Sequence, residues 1–255
     1  MTAVKIMPCL DIKDGRVVKG VHFVNLKDAG DPVAAARAYT EDGADELAFL
    51  DITATVEKRK TTLETVKKVA GATKLPLTVG GGIASVEDAQ AVLAAGADRI
   101  SVASAAYRSP ELIDRLAAAF GPEKVVIAID VDRSANTPSG YEVYIDGGRT
   151  PTGTDAVAWA VEAVKRGAGI VLPTSKACDG AKNGYDLPLI KMLKDKVCVP
   201  VVASGGAGAP EHFLAAARAG ADILLAASVF HLGEIRISAL KKYLQENGVA
   251  VNPVW

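Results

Sequence analysis

Asp11 and Asp130 end two apolar runs, KIMPCLD and VVIAID, at matching places in two related halves of the chain. Two carboxylates facing each other across one cavity suit general acid and general base roles on opposite sides of a substrate. A strand-end aspartate can instead cap the next helix, the alternative kept for Asp51. The halves declare themselves by a repeat: Pro76–Ala105 returns as Pro200–Val229, with Gly81-Gly82 over Gly205-Gly206, Asp98 over Asp222 and Ser104 over Ser228. Each copy reads as strand, glycine turn, amphipathic helix, Gly-Ala-Asp stop, strand and small hydroxyl residue. Bare backbone N–H groups at such turns form anion sites, so two copies point to a ligand with a phosphate at each end. Lys19, between glycines in GRVVKG, could neutralise a phosphate after loop closure. Thr174, Asp179 and Ser204 lie at or beyond strand ends, where polar groups would meet a ligand. Lys176, two beyond Thr174, would point into the barrel top beside Ala48 and Ala103, where a desolvated lysine could attack a carbonyl.

Positioning these groups requires an alternation of short apolar strands and Ala/Glu/Lys-rich helices. Strands are expected at Lys5–Asp11, Glu46–Asp51, Leu77–Gly80, Arg99–Ala103, Val125–Asp130, Ile170–Thr174, Val201–Ser204 and Ile223–Ala227. The helices between them are placed at Pro32–Asp42, Thr61–Ala70, Val86–Ala94, Pro110–Phe120, Asp155–Arg166, Pro188–Lys194, Glu211–Ala219 and Ile237–Glu246. Nearly continuous apolar strands without a composition break indicate an α/β protein with a parallel sheet. The duplication favours closure into a single (βα)8 barrel, with halves of about 1–123 and 124–255. An open doubly wound sheet is the runner-up; it lacks a GxGxxG turn after its first strand. The long connections Gly15–Asp31 and Ser134–Thr154 are candidate lids, the second with a hairpin in GYEVYIDGGR.

The chain has 255 residues, 49% of them apolar, and a net charge of −1, so it can bury a large core and shows no nucleic-acid footprint. Its three cysteines and three histidines are scattered, which argues against a disulfide framework or a structural metal site. The opening residues lack a signal-peptide core and no apolar run approaches membrane length, so a soluble, cytoplasmic protein is expected. The two-residue strand period places Lys5, Met7 and Cys9 inward with Asp11, Glu46 and Ala48 inward with Leu50, and Arg99 and Ser101 inward with Ala103. Lys5, Glu46 and Arg99 would then gather at the barrel bottom as a plug or polar gate, an arrangement costly unless paired.

The motifs PCLDIKDGRVVKG, DELAFLDITATVEKRKT, PLTVGGGI, AIDVDR, GGRTPTGTDAVAWA, DGAKNGYD, VVASGGAG and LAASVFH resemble the cyclase subunit of imidazole glycerol phosphate synthase, essentially from end to end. The sister isomerase of histidine biosynthesis shares barrel and duplication but lacks the KDGRVVKG loop in this form. The resemblance implies a lyase without cofactor that takes ammonia and the bis-phosphorylated ribotide PRFAR, and releases imidazole glycerol phosphate and the carboxamide ribotide AICAR. It further implies Asp11 and Asp130 as the acid/base pair, Lys19 in the closing loop, one phosphate at Gly82 and Ser104, and the other at Gly206, Ala227 and Ser228. Ammonia would come from a glutaminase subunit docked at the barrel bottom, through a gate that includes Lys5, Glu46 and Arg99, with Asp98 at the interface.

Departures from the family pattern cluster at the ligand-facing rim and in strand six. Ile170 stands at the fourth gate position, usually Glu, and Pro173 where the family has Leu. Lys176, Ala177 and Cys178 interrupt the S-x-D-x-D-G pattern, and Ala103, His22 and Ala48 replace an Asn, an Asn and a β-branched residue. Such a rim fits a diverged or engineered barrel, and keeps open a retro-aldol activity on Lys176 or a catalytically weak scaffold as alternatives.

Overall fold

The computed structural model describes residues 3–21, 24–52 and 63–254, with 19–21 and 24–29 as backbone alone. Eight parallel strands follow one another: Lys5–Lys13, Leu47–Asp51, Leu77–Gly80, Arg99–Val102, Val125–Arg133, Ile170–Ser175, Val202–Ala203 and Ile223–Ala226. Strand eight pairs with strand one, and strands six and seven meet through the bridges Val171–Val201 and Thr174–Ser204. The sheet therefore closes on itself as a (βα)8 barrel, and the open-sheet alternative falls. In this cylinder strand five is the fourth neighbour of strand one in either direction, which sets Asp130 opposite Asp11.

Two periods of apolar residues build two cores. Met7, Cys9, Ala48, Val126, Ile170, Leu172, Val202, Ile223 and Leu225 fill the interior of the cylinder. The alternate strand positions, among them Ile6, Leu10, Phe49, Ile100, Ile127, Val171 and Leu224, are fully buried against the helices. Each such side chain contributes about 1.5–3 kcal/mol on burial.

The helices that follow the eight strands run Pro32–Glu41, Leu63–Ala70, Val86–Ala94, Glu111–Phe120, Ala156–Lys165, Leu187–Lys194, Pro210–Arg218 and Ile237–Glu246. Thr61 and Thr62, expected in the second of them, lie outside the described residues. Asp31 caps the first helix by accepting from Val33 and Ala34 N–H, and Asp155 caps the fifth by accepting from Val157 and Ala158 N–H. These are equivalent places in the repeat, so one local rule starts a helix in each half.

Both long connections contain antiparallel strands. The first is Arg16–Val21 paired with Val24–Gly30, extending strand one, where the sequence pattern suggests only a loop. Asp14 and Gly15 form its two-residue turn with φ of 51° and 73°, the backbone that Asp-Gly favours between strands. The second pairs Tyr141–Ile145 with Thr150–Asp155, as the GYEVYIDGGR pattern implies. Two short helices, Ser104–Arg108 and Ser228–His231, open directly after strands four and eight. Both are too short to show a helical period, so the sequence does not announce them.

Candidate active site

At the carboxyl ends of the strands a cleft is lined by Cys9, Asp11, Thr174, Asp179, Ser204, Gly206, Ala227 and Ser228, among others. Of the expected ligand-contacting residues, the structure thus gathers Asp11, three polar groups and the expected phosphate contacts Gly206, Ala227 and Ser228 around one space. Thr174 Oγ1 lies 3.2 Å from Ser204 Oγ, so these hydroxyls order each other at the rim of strands six and seven. Ser101 is buried on strand four, deeper than this rim.

The glycines of both turns are required by geometry. Gly81 and Gly82 have φ of 102° and 70°, and Gly205 and Gly206 have 83° and 107°. A Cβ on Gly81 would stand 2.2 Å from the carbonyl oxygen of Asp51, and one on Gly206 would stand 2.1 Å from that of Gly184. Only glycine lets the turns pack this close on left-handed backbone. Ser104 and Ser228 each begin a short helix, adding N–H groups without intrahelical partners.

Asp130 sits at the end of the regular barrel part of strand five, in register with Thr174. Burial, reinforced by the Asp179 carboxylate, pushes its carboxyl up to about 6, against smaller opposing contributions from Lys176, the Gly148 N–H and Arg149. A carboxyl held near neutrality can carry a proton in either direction. Asp51 is buried on strand two.

The second hairpin reaches over this side of the mouth. Asp146 N–H donates to Ser104 Oγ at 2.9 Å, and the Gly148 N–H contacts the Asp130 carboxylate. Arg108 Nη2 holds both oxygens of Asp146 at 2.7 and 2.8 Å. The hairpin tip therefore touches Ser104, just after strand four, and one of the opposed carboxylates together. The sequence pattern shows a hairpin here without singling out Asp146 or Gly148; the left-handed run Asp146-Gly147-Gly148 is the signal it holds.

Lys176 departs from expectation. Its Nζ lies 3.4 Å from Asp132 Oδ2 and 3.5 Å from the centroid of the Tyr144 ring, against the hairpin rather than beside Ala48 and Ala103. Strand six ends at Ser175, so the inward–outward alternation does not extend to residue 176. A carboxylate and an aromatic face then draw the ammonium sideways, the second worth about 0.5–2 kcal/mol. The Lys19 side chain and His22 lie outside what is described.

At the opposite end, Lys5, Glu46 and Arg99 do meet. Lys5 Nζ is 2.6 Å from Glu46 Oε1, and Arg99 Nη1 is 2.7 Å from Oε2. Glu46 is buried while both cations reach solvent, so one carboxylate is clamped by two charges across the barrel bottom. Ile170, the fourth position, is buried in the apolar interior above them. Asp98 is exposed near this end, and one of its oxygens accepts the Leu77 N–H at 2.8 Å. Arg99→Ala should lower unfolding free energy by about 2–3 kcal/mol, less than for a fully orphaned buried charge because Lys5 remains. Chemical denaturation would show this as a shifted midpoint at constant slope, and an unshifted midpoint would mean that water already screens Glu46.

Among the described residues no group of three or more His, Cys, Asp or Glu side chains could hold a metal ion. No described helix is long and apolar enough to cross a membrane. The fold and cleft define a class: a (βα)8 barrel with paired glycine turns and carboxylates opposed across its mouth. Residues 5–236 match the histidine biosynthesis protein family. The chain is 52% identical to the imidazole glycerol phosphate synthase subunit HisF of Thermobifida fusca over 252 residues, covering 98% of each. It is 53% identical to the subunit of that name from Anoxybacillus flavithermus over 252 residues, covering 98% of this chain and all of that one. The chain belongs to the histidine biosynthesis protein family.

Proposed function

We propose that this chain is the cyclase subunit of an imidazole glycerol phosphate synthase, a lyase that converts PRFAR and ammonia into imidazole glycerol phosphate and AICAR. The observation that carries the reading is the cleft that brings Asp11, Asp179 and the Gly206–Ser228 anion turn into one space on the side facing Asp130. A substrate with a phosphate at each end would be held at Gly82 and Ser104 on one side and at Gly206, Ala227 and Ser228 on the other. Its reacting centre would then span the mouth between Asp11 and Asp130. Ser101, Thr174, Asp179 and Ser204 would orient the ligand, and Lys19 would close over it. The two half-barrels, about 1–123 and 124–255, supply one carboxylate and one anion turn each.

The barrel bottom would receive a glutaminase subunit, with Lys5, Glu46 and Arg99 as the gate and Asp98 at the contact. Lys5 and Arg99 both pair with Glu46, so a gate built of these residues would open by breaking those ion pairs. Turnover of PRFAR with an ammonium salt should be measurable with this subunit alone and should vanish in Asp11→Asn. Absence of turnover by the parent protein would end the reading.

A further inference from the structure

The end of strand one is fastened from outside the barrel. Tyr39, on the first helix, donates its phenol to Nδ1 of His231. His231 Nε2 lies 2.9 Å from the carbonyl oxygen of Cys9, and the Cys9 Sγ lies 3.1 Å from Oδ1 of Asp11. The partners fix the protons. A backbone carbonyl only accepts, so Nε2 carries the ring proton; Nδ1 is then the acceptor and the phenol its donor. Burial, with the fields of Cys9 and Asp11, pushes the Tyr39 phenol well above its ordinary value, which suits a permanent donor. Cys9 is buried yet lines the cleft, and its thiol meets the carboxylate directly.

His231 also closes the four-residue helix that Ser228 opens. One ring therefore joins the first helix through Tyr39, the second anion turn through its own backbone, and the strand bearing Asp11 through the Cys9 carbonyl. Strand eight pairs in register with strand one as far as Pro8–Ala226, and beyond that point the His231 bond is a cross-link between the two ends.

We propose that His231 and Cys9 are positioning residues that hold the Asp11 carboxylate in register with the second anion turn. The inference rests on Asp11 as an acid/base group and on the Ser228 turn as a phosphate site. His231 sets the distance between anchored phosphate and carboxylate, and the Cys9 thiol, by holding one carboxylate oxygen, sets the direction of the other. Small displacements of a reacting group are costly because near-attack geometry supplies much of the rate.

The test is steady-state kinetics with PRFAR and ammonium salt, alongside thermal melts. His231→Ala should raise KM and lower kcat, each about tenfold, because binding and reacting geometry both loosen. His231→Gln, whose amide keeps one donor and one acceptor, should recover both to within about threefold. Cys9→Ala should lower kcat about tenfold with KM unchanged, and Cys9→Ser should restore it by keeping a donor. Tyr39→Phe should move both constants in the His231→Ala direction by a smaller factor. Lower melting temperatures with wild-type constants in the folded variants would overturn the inference, leaving the chain a structural brace. Asp11→Asn in the same assay separates the two levels. If it turns over normally, the reading of Asp11 fails; if it is inactive while His231→Ala and Cys9→Ala behave as wild type, only the positioning role fails.

Discussion

Asp130→Asn should lower kcat by about 100- to 10,000-fold, the range expected for losing a positioned acid or base, and at pH 8 should make the protein more stable. The two effects share one cause. The folded state holds the Asp130 carboxyl at about 6 instead of the ordinary 3.8, because burial and the facing Asp179 disfavour its charge. The native state therefore binds this proton more tightly than the unfolded chain does. Stability from this group is fully present below about pH 4 and is lost as pH rises towards 6. Above that the folded protein carries an ionised carboxylate in an unfavourable place, at a cost of up to about 3 kcal/mol for a shift of about two units. Asparagine removes the charge and the cost together. Denaturant melts of both proteins at pH 3.5 and pH 8 check the sign: the midpoints should differ at the higher pH and converge at the lower. Equal stability at pH 8 would show that solvent in the cleft relieves the carboxylate, and would weaken its role as a group tuned for proton transfer.

Much of this arrangement is legible in the sequence because it is written in short-range chemistry. The strand period alone places Met7, Cys9, Glu46, Ala48, Ser101 and Arg99 on the inner side. Met7, Cys9 and Ala48 do fill the interior with Ile170, and Arg99 does reach Glu46 at its lower end. The glycine repeat announces two turns whose φ angles are positive in both halves. Legibility stops where an element stops. Extending the strand period one residue past Ser175 aims Lys176 inward, whereas the chain has already left the strand there. The Asp14-Gly15 turn carries a hairpin signal that the length of the connection obscures. Substitutions within the repeat are harder still. Ser85 caps the third helix, but its counterpart Ala209 cannot; His212, at the place of Asp88, accepts the Gly208 and Ala209 N–H groups at Nδ1 instead. That exchange depends on a tautomer and a rotamer, and neither is visible in residue spacing. Asp98 shows a further limit. Resemblance gives it a partner-facing role, while the structure shows it accepting the Leu77 N–H as Asp222 accepts that of Val201, so the same carboxylate also anchors a strand start in each half.

The Gly205-Gly206 turn offers a test in which strain and collision can be told apart. Gly206→Ala and Gly233→Ala both place a Cβ on left-handed backbone, with φ of 107° and 65°. At Gly233 nothing lies within 4 Å of the new atom, so its cost is the backbone alone, about 1 kcal/mol. At Gly206 the methyl would stand 2.1 Å from the Gly184 oxygen and 3.0 Å from Cys178 Cβ. Neither neighbour can yield cheaply, because Gly184 N–H donates to the Gly206 oxygen at 2.8 Å and locks the two backbones together. Relief requires breaking that bond and moving the turn, an added cost of about 2–3 kcal/mol from the lost hydrogen bond and the overpacked contact. Gly206→Ala should therefore unfold at distinctly lower temperature than Gly233→Ala, and only Gly206→Ala should raise KM for a phosphorylated ligand, since its N–H groups no longer converge. If both variants melt alike and bind alike, the close approach at Gly184 is not what holds the turn in the form that the proposed phosphate site needs, and that proposal would rest on Ser228 and its short helix alone.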